Sequence, residues 1–172
     1  MSNIAIIVDL ETTGLSASEN QILEIGAIKI NTETGEVLDE FQTFTQPEPE
    51  YGDYTFKISS FITGLTGITD DMVADAPSNR AAVNAFMTFA GSLEIWAYNA
   101  SFDSKFINQH TPEHRPFKDV LKVARNAFPT LRSHKLVLVA DHLGLSQVGA
   151  HRAIADCLMA KEVLVQCLKV IS

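Results

Sequence analysis

The feature that most constrains the fold is an uninterrupted apolar segment near the start of the chain, residues 4–8, which runs directly into Asp9-Leu10-Glu11. Five apolar residues in a row, most of them β-branched, are typical of a strand that is covered on both faces. Gly14 and the serine-containing segment after it mark the point where the strand ends. The sequence therefore predicts a buried strand that ends by presenting two carboxylates.

The two carboxylates of this strand are expected on the same side of the sheet. Side chains alternate faces along a strand, so positions 9 and 11 point the same way. Two acids at that spacing, beside an apolar wall, would repel each other and stay partly protonated unless a cation lies between them. Asp9 and Glu11 are therefore a candidate metal site, and the alternative is a strand edge whose acids are only solvated.

Length and composition favour a soluble, cytoplasmic protein. The chain has 172 residues, which suits a single domain over 1–172, and 46% of them are hydrophobic, which excludes a disordered chain. No segment reaches the ~20 apolar residues of a membrane span, so no membrane association is expected. Cys157 and Cys167 lie in one predicted helix, about 15 Å apart along its axis, which is too far for a disulfide.

The net charge of −8 is unevenly distributed along the chain. Residues 1–75 hold 14 acidic side chains against two lysines, whereas residues 105–135 hold seven Lys and Arg against two acids. An acidic lobe facing a basic one is compatible with bound divalent cations on one side and a phosphate backbone on the other. The alternative is that the basic segment is simply a solvated face.

The periodicity of apolar residues predicts an α/β sandwich built on a mixed sheet. We expect an antiparallel meander of three strands at the start, followed by helices that alternate with strands. The predicted strands are the N-terminal one, 21–30, 37–45 and 94–99, with a loop over 46–52; the predicted helices are 79–90, 101–109, 134–143 and 152–168; and 118–127 fits either a strand or a helix.

A second group of polar residues follows the strand predicted over 94–99. Asn99 stands at its carboxyl end, and Asp103 falls on the first turn of the next helix. Ligands of open α/β sheets bind outside the carboxyl ends of strands, so Asp103 can share one crevice with Asp9 and Glu11. Taken alone, Asp103 would be an ordinary acid in the first turn of a helix.

A third group, His151-Arg-Ala-Ile-Ala-Asp156, lies at the start of the last predicted helix. Five positions apart on a continuous helix, the two side chains would point about 140° apart, so they meet only if His151 precedes the helix or occupies its first turn. Gly149, just upstream, permits such an entry. Taken alone, the two residues would be a surface histidine and a helix acid.

The joint occurrence of these groups favours a metal-dependent hydrolase. Four carboxylates supply hard oxygen ligands and enough negative charge for two divalent ions about 3.5–4 Å apart, a separation already known from nucleases among other enzymes. They belong to Asp9, Glu11, Asp103 and Asp156. Imidazole ionises near neutral pH, so His151 is the candidate base that takes a proton from an attacking water.

With these three motifs in this order, the sequence resembles the DEDDh (DnaQ-like) 3′→5′ exonuclease family. The matching segments are Asp9-Leu-Glu11-Thr-Thr-Gly14, Asn99-Ala-Ser-Phe102-Asp103 and His151-Arg-Ala-Ile-Ala-Asp156. Residues 65–69 also resemble the substrate-side segment of the family. The resemblance covers essentially the whole chain, and within the family it is similar to exonuclease X and to the epsilon (proofreading) subunit of bacterial DNA polymerase III.

The resemblance implies a ribonuclease H-like fold, with a mixed five-stranded sheet flanked by helices. It also implies two Mg²⁺ or Mn²⁺ ions on the four acids, with His151 as general base. The residues that it places around the terminal nucleotide are Thr12, Leu15, Thr66, Ile68 and Asn99. The expected reaction is the release of nucleoside 5′-monophosphates, one at a time, from the 3′ end of single-stranded DNA, in proofreading or repair.

Two departures from the family pattern affect these expectations. Tyr98 stands where many members have histidine, directly before the motif asparagine, and this bears on local packing rather than on catalysis. The chain also ends at Ser172, just after the last predicted helix. The resemblance therefore points to a DNA polymerase as a partner, but the sequence offers no tail of the kind by which the polymerase III subunit binds its polymerase.

Three other functions fit parts of the sequence. A phosphatase with an aspartyl nucleophile at Asp9 would usually need Asp at position 11, and it leaves His151 without a role. A non-catalytic module that binds nucleic acid would not need all five functional positions. An exoribonuclease of the same superfamily shares the same five residues, so DNA and RNA both stay open as substrates.

Overall fold

A mixed sheet lies at the centre of the protein. A computed structural model of the chain describes residues 3–48 and 57–171, and its strands are Ile4–Thr12 (β1), Ile22–Asn31 (β2), Val37–Phe44 (β3), Glu94–Ala97 (β4) and Phe117–Asp119 (β5). They form one five-stranded sheet in the order β3-β2-β1-β4-β5. The pairs β1–β2 and β2–β3 are antiparallel, whereas β1–β4 and β4–β5 are parallel. The predicted mixed five-stranded sheet is confirmed.

Helices flank this sheet on both sides in the part of the chain that the structure describes. They are Ser60–Thr66 (α1), Asp70–Val73 (α2), Asn79–Ala90 (α3), Ala100–Gln109 (α4), Val120–Ala127 (α5), Leu136–His142 (α6) and Ala153–Ile171 (α7). Three of them begin at a residue whose side chain accepts a backbone N–H from the first turn, namely Ser59, Ser78 and Asp119. Among the described helices, none combines the length and apolar character needed to cross a bilayer.

The alternation of side chains along β1 divides the core into two layers. Ile6, Val8 and Leu10 pack against residues of α3 and α4, whereas Ala5 and Ile7 pack against residues of α5, α6 and α7. The odd-numbered series continues with positions 9 and 11, so both carboxylates emerge on the side of the sheet that α7 covers. The packing of the core therefore places the two acids on the side of the sheet that faces α7.

Several predicted boundaries differ from those of the structure; the strand predicted over 94–99 ends at Ala97, and the helix predicted over 152–168 extends to Ile171. Two further differences have a local cause. The segment 118–127, which fitted either a strand or a helix, holds the end of β5 and the whole of α5, because the Asp119 carboxylate accepts the Lys122 N–H at 2.9 Å and starts the helix. The helix predicted from 134 begins at Leu136 instead. Its predicted first residue, His134, is held outside the helix, since its carbonyl accepts the Tyr98 hydroxyl at 2.7 Å. Most of the loop predicted over 46–52 lies outside the described residues.

The last helix packs very close to β2 because position 26 is glycine. A Cβ atom at Gly26 would lie 2.7 Å from the Cβ of Ala153, so any larger residue would push α7 away. One turn further along, the Cys157 thiol donates to the carbonyl of Gly26 at 3.3 Å. Both cysteines are free and buried, and burial raises the pKa of the Cys157 thiol. This close approach brings the first turn of α7 to the end of β1.

Candidate active site

Three carboxylates lie close together at the carboxyl end of β1. One oxygen each of Asp9, Glu11 and Asp156 lies within 4.8 Å of the other two. Asp9 and Glu11 reach this point from β1, and Asp156 reaches it from the first turn of α7. The structure thus brings together three of the four acids that the sequence indicated as metal ligands.

Asp103 approaches the same edge of the sheet from the opposite layer. It lies in the first turn of α4 and is only 3% exposed. Its carboxylate accepts hydrogen bonds from its own backbone N–H and from that of Leu10. Its charge raises the pKa of Asp9. All four predicted acids therefore lie at one edge, with Asp103 outside the tight group of three; we call the four residues the acid cluster.

Burial and mutual repulsion raise the pKa values of this acid cluster. Loss of solvation is the largest cause in each case, and it brings the pKa of Glu11 to about 8 and that of Asp103 to about 7. The pKa of Asp9 lies well above its ordinary value, through burial first and then through the charges of Asp103 and Asp156. Burial also raises the pKa of Asp156. A cation bound among these groups would remove the repulsion.

One oxygen of Asp156 is placed to bind such a cation. Its Oδ2 accepts the backbone N–H of His151 at 3.2 Å, whereas its Oδ1 is buried and has no hydrogen-bond partner among the described residues. Carboxylate oxygens are the ligands that Mg²⁺ and Mn²⁺ prefer. This orphaned oxygen belongs to a carboxyl group that has one oxygen within 4.8 Å of an oxygen of Asp9 and of Glu11, and such a group of acids fits a divalent metal.

His151 lies in the loop directly before α7. Its φ of 67° is in the left-handed region, and it is the one non-glycine residue with positive φ in the described ranges. Gly149, with a φ of 83°, turns the chain just upstream. The His151 side chain is exposed, and its charge lowers the pKa of Asp156. His151 therefore precedes the helix, which is the arrangement in which it and Asp156 can meet.

An ion pair that the sequence motifs did not indicate lies beside the acid cluster. Arg152 binds both carboxylate oxygens of Glu24, which stands opposite Glu11 in the β1–β2 ladder. The charge of Glu24 raises the pKa of Glu11, and that of Arg152 lowers it. The one sequence signal for this pair is an acid inside the largely apolar strand β2, where an unpaired charge would be costly.

A cavity of about 480 Å³ opens next to Glu11. Its walls come from the end of β1 and the loop after it, from α1 and from α4. Thr12, Leu15 and Thr66 line it, and all three were expected to bind the terminal nucleotide. Leu15 is 88% exposed, whereas Thr66 is buried and its hydroxyl bonds to backbone groups at the end of α1. We call this space the terminal cavity.

Two aromatic side chains that the sequence did not indicate as substrate-binding residues also line the terminal cavity. Phe61, on α1, is 74% exposed although it is fully apolar. Phe102, on α4, packs on Phe106 with ring centroids 5.0 Å apart, and it also lines the cavity. Because aromatic faces stack on nucleobases, both residues are candidate substrate-binding residues. An exposed phenylalanine on a short helix could not be distinguished from a core residue by sequence alone.

Two of the predicted substrate residues lie elsewhere. Ile68 is completely buried in a small core under α1 and α2, together with Ile62 and Val73. Its predicted contact with a base does not match this position, because the two short helices use its side chain to close their own core. Asn99 lines a second cavity, of about 350 Å³, which shares no lining residue with the terminal cavity.

This second cavity is lined by basic side chains. Arg125, His134 and Lys135 contribute to its walls, and none of its described lining residues is acidic. Neither Arg125 nor Lys135 forms a salt bridge with another described residue. The Tyr98 hydroxyl, by bonding to the His134 carbonyl, holds one wall in place, which is how the departure at position 98 is accommodated. We call this cavity the basic groove.

The chain is similar to known proteins in sequence and in structure. A family model described as Exonuclease (RNase_T) matches residues 6–164. The PolC-type DNA polymerase III of Clostridium perfringens is 37% identical in an alignment 164 residues long, which covers 92% of this chain and 11% of that protein. The DNA polymerase III epsilon subunit of Aquifex aeolicus is 28% identical in an alignment 170 residues long, which covers 95% of this chain and 80% of that protein. The chain thus spans about a tenth of the length of the PolC-type relatives.

Solved structures share the fold. The nuclease domain of 3′hExo, a DEDDh family member bound to rAMP, matches with a TM-score of 0.79 and 24% identity, over 98% of this chain and 92% of that chain. Exonuclease X in complex with 5′ overhanging duplex DNA matches with a TM-score of 0.72 and 23% identity, over 96% and 91% of the two chains. The ribonuclease H-like exonuclease fold expected from the sequence is therefore confirmed.

Proposed function

This chain belongs to the exonuclease (RNase_T) family, and from that premise we propose that it is a metal-dependent 3′→5′ exonuclease of DNA. The proposed reaction is hydrolysis of the last phosphodiester bond at the 3′ end of a single strand. The product is a nucleoside 5′-monophosphate. The strand is then shorter by one nucleotide and can be cut again.

The observation that carries this proposal is the position of the terminal cavity next to the acid cluster. Glu11 belongs to both, so a nucleotide in the cavity would present its phosphate to the four acids. The volume of about 480 Å³ lies within the range of roughly 300–1,000 Å³ that is usual for small-ligand sites. Such a space suits a single nucleotide better than a duplex.

The acid cluster would hold the divalent ions in this reaction. Bound Mg²⁺ or Mn²⁺ activates a water molecule and offsets the negative charge of the phosphodiester. The chain itself contributes the fixed positions of the four carboxylates, which α4, α7 and β1 set from two core layers. His151 would accept the proton of the attacking water, because it is exposed beside Asp156 and its neutral imidazole can act as a base.

The walls of the terminal cavity favour an unpaired end. Leu15, Phe61 and Phe102 offer apolar surface to one face or edge of a base, and Thr12 offers a hydroxyl near the sugar. A paired end would first have to fray, at a cost of a few kcal/mol. We therefore propose that single strands are the preferred substrates.

The basic groove would bind the remainder of the strand. Asn99, the residue that caps α4, lines the groove, and Phe102, in the first turn of the same helix, lines the terminal cavity. A strand that leaves the cavity therefore has only the start of α4 to cross before it reaches Arg125 and Lys135. Unpaired cations of this kind bind phosphates without regard to sequence.

The sequence relatives favour DNA rather than RNA. The relatives described above are a PolC-type DNA polymerase III and an epsilon subunit of DNA polymerase III. We propose accordingly that this chain acts on DNA ends in proofreading or repair, and that a DNA polymerase is its partner. Stimulation of the exonuclease by a polymerase from the same cell, measured on a mismatched primer end, would test the partner.

The test of the proposed function is digestion of matched single-stranded DNA and RNA oligonucleotides, labelled at the 5′ end, with Mg²⁺ or Mn²⁺ and with EDTA. We expect a ladder that shortens from the 3′ end of the DNA, nucleoside 5′-monophosphates as products, and no reaction with EDTA. A bulky ester on the 3′ end should stop digestion. Internal cuts would indicate an endonuclease, and digestion of RNA alone would make RNA the substrate. Binding of either strand without cleavage, and without binding of metal, would leave a nucleic-acid-binding module.

A further inference from the structure

The ion pair between Glu24 and Arg152 has no role in the chemistry described so far. We propose that the two residues form a positioning pair, which fixes the backbone at His151 so that the imidazole is held over the acid cluster. The inference rests on the proposed function, because it takes His151 to be the general base. Neither residue touches the substrate in this proposal; both act through His151.

The pair is geometrically well defined. The Arg152 Nε donates to Oε2 of Glu24 at 3.1 Å, and its Nη2 donates to Oε1 at 3.0 Å. The backbone N–H of Ala153 donates to Oε2 at 3.4 Å, and the side-chain amide of Gln42 donates to Oε1. Glu24 is 0% exposed. A two-point contact of a planar guanidinium with a buried carboxylate fixes the direction of the arginine as well as its distance.

The guanidinium also contacts an aromatic ring. Its carbon lies 5.4 Å from the centre of the Phe44 ring, on β3. The arginine is thus fixed by β2 and β3 together, on the rigid antiparallel half of the sheet. Its position does not depend on the loop from which it comes.

His151 needs such support because its own backbone conformation is unfavourable. A non-glycine residue in the left-handed region is strained, and it persists only where its surroundings enforce it. The loop upstream cannot enforce it, since residues 146–149 are exposed, with Val148 at 89%. The restraints therefore come from the hydrogen bond of the His151 N–H to Asp156 and from the next residue, Arg152.

Stability alone explains the pair poorly. The Glu24 carboxylate is fully buried although the Arg152 side chain is 38% exposed, so the pair must first offset the cost of removing that carboxylate from water. Replacing buried ion pairs with apolar residues of similar volume is often neutral or stabilising. Glu24 also places a fifth negative charge near the acid cluster, where it raises the pKa of Glu11. A fixed direction of the chain at position 152 is the property that the two-point contact supplies and that an apolar contact would not.

The first measurement separates catalysis from binding. In Arg152→Ala, we expect kcat to fall about 10- to 100-fold, while KM for a single-stranded oligonucleotide and Mn²⁺ affinity by calorimetry stay within about twofold. Arg152→Lys should recover only part of kcat, because an ammonium group cannot make the two-point contact. A large loss of Mn²⁺ affinity would show instead that Arg152 acts on the acid cluster, and would overturn the proposal.

A stability-matched control excludes a merely structural role. Val163→Ala removes buried apolar volume from α7 without touching the pair, and it should lower Tm while kcat well below Tm stays unchanged. If Arg152→Ala leaves Glu24 unpaired and does not fold, Glu24→Gln combined with Arg152→Met removes both charges and serves in its place. Equal kcat losses in the Val163 and Arg152 variants at matched Tm would overturn the proposal.

The closing experiment is a double-mutant cycle with His151. If Arg152 acts through His151, adding Arg152→Ala to His151→Ala should cause no further loss of kcat beyond about twofold. Two losses that multiply would mean independent roles and would refute the positioning pair. If the parent enzyme is active and Arg152→Ala leaves its kcat unchanged, this inference is refuted and the proposed function is not. A parent that binds Mn²⁺ and releases no nucleotide refutes the proposed function, and the positioning role with it.

Discussion

The acid cluster and the terminal cavity share Glu11, yet they are built in different ways. The four acids stand on β1, α4 and α7, whose apolar faces form the two main layers of the core. Much of the cavity wall comes from a loop and from α1, a helix of seven residues, and its apolar side chains Leu15 and Phe61 are largely exposed. The four acids are thus positioned by the core, whereas the cavity proposed for the nucleotide presents exposed apolar side chains that the fold does not need.

This difference predicts two kinds of mutational effect. Changes in the acid cluster should remove the reaction and also alter the stability of the metal-free protein, because the acids repel one another. Changes at Leu15 and Phe61, the exposed apolar side chains of the terminal cavity, should alter substrate binding and leave the folded state unchanged. A substitution in one of the two sites that had the effect expected of the other would contradict this difference.

The largest effect is expected at the acid cluster. Asp156→Asn keeps an acceptor for the His151 N–H but removes a charged ligand, so activity should fall on the order of 10⁴-fold or more and Mn²⁺ affinity should fall with it. The metal-free variant should melt at a higher temperature than the parent, because repulsion is relieved. Asp141→Asn, an exposed acid on α6, is the matched control and should change neither. Full Mn²⁺ affinity in Asp156→Asn would refute the ligand assignment.

The next largest effect is expected at His151. His151→Ala should lower kcat about 10²–10⁴-fold with Mn²⁺ binding nearly intact, since a base is lost and the ligands remain. Calorimetry with Mn²⁺ beside single-turnover rates of the parent and the variant would check both expectations. Near-parental activity, or loss of metal as complete as in Asp156→Asn, would contradict the assignment as base.

A smaller effect is expected from Phe61→Ala in the terminal cavity. Loss of one stacking surface, worth about 1–3 kcal/mol, should raise KM about 5- to 100-fold with little change in kcat. Tm should not change, because the ring is 74% exposed. Leu138→Ala on α6 is also an exposed apolar residue, lies outside the cavity, and should leave KM unchanged. A Tm loss of several degrees in Phe61→Ala would show that the cavity wall is structural after all.

The stability of the metal-free protein should decrease as pH rises. Glu11 and Asp103 have folded pKa values of about 8 and about 7, above their ordinary values of 4.5 and 3.8, so between about pH 4 and 8 the folded state binds more protons than the unfolded state. These two groups should therefore lower the free energy of unfolding by on the order of 2 kcal/mol across that window, after allowance for solvent in the site.

Chemical denaturation from pH 5 to 8, with EDTA and with Mn²⁺, would measure this effect. Mn²⁺ should stabilise the protein more at pH 8 than at pH 5, because protons compete with the metal for the same oxygens. The double variant Glu11→Gln/Asp103→Asn should lose the pH dependence that these groups cause. If the free energy of unfolding of the metal-free parent changed with pH in the same way as that of the double variant, the raised pKa values would be contradicted.

The smallest effect is expected from the basic groove. Arg125→Gln/Lys135→Gln should weaken binding of a long single strand about 3- to 10-fold, leave binding of a dinucleotide unchanged, and reduce the dependence of log K on log salt by about 1.4 for two phosphates. Arg80→Gln, an exposed cation on α3 outside the groove, is the control. Equal losses for long and short substrates would place the strand elsewhere.

The sequence predicted the acid cluster more completely than the cavity, for a physical reason. The alternation that buries Ile7 also sets the direction of Asp9 and Glu11, so pattern and placement have the same cause. The entry of His151 ahead of the last helix could likewise be anticipated, from Gly149. These positions depend on short-range geometry, which a single sequence contains.

The remaining site residues depend on tertiary contacts that a single sequence does not reveal. Glu24 and Arg152 are 128 positions apart, and nothing local marks either as the partner of the other. Ile68 and Phe61 are both apolar residues around α1, yet one is fully buried and the other exposed. Which of them faces a ligand depends on how α1 docks on the sheet, and a helix of seven residues is too short for its periodicity to decide this.

The meeting of Asp9 with Asp156 has a consequence for how the protein acquires its activity. The two acids come from the first strand and from the last helix that the structure describes, so almost the whole chain must be in place before they meet. Contacts of such long sequence separation form late in folding, after the intervening loops have closed. A growing or partly folded chain can expose its first motif without being able to cut nucleic acid. Hydrolytic activity would thus report on completed folding, and should return during refolding only with the docking of α7.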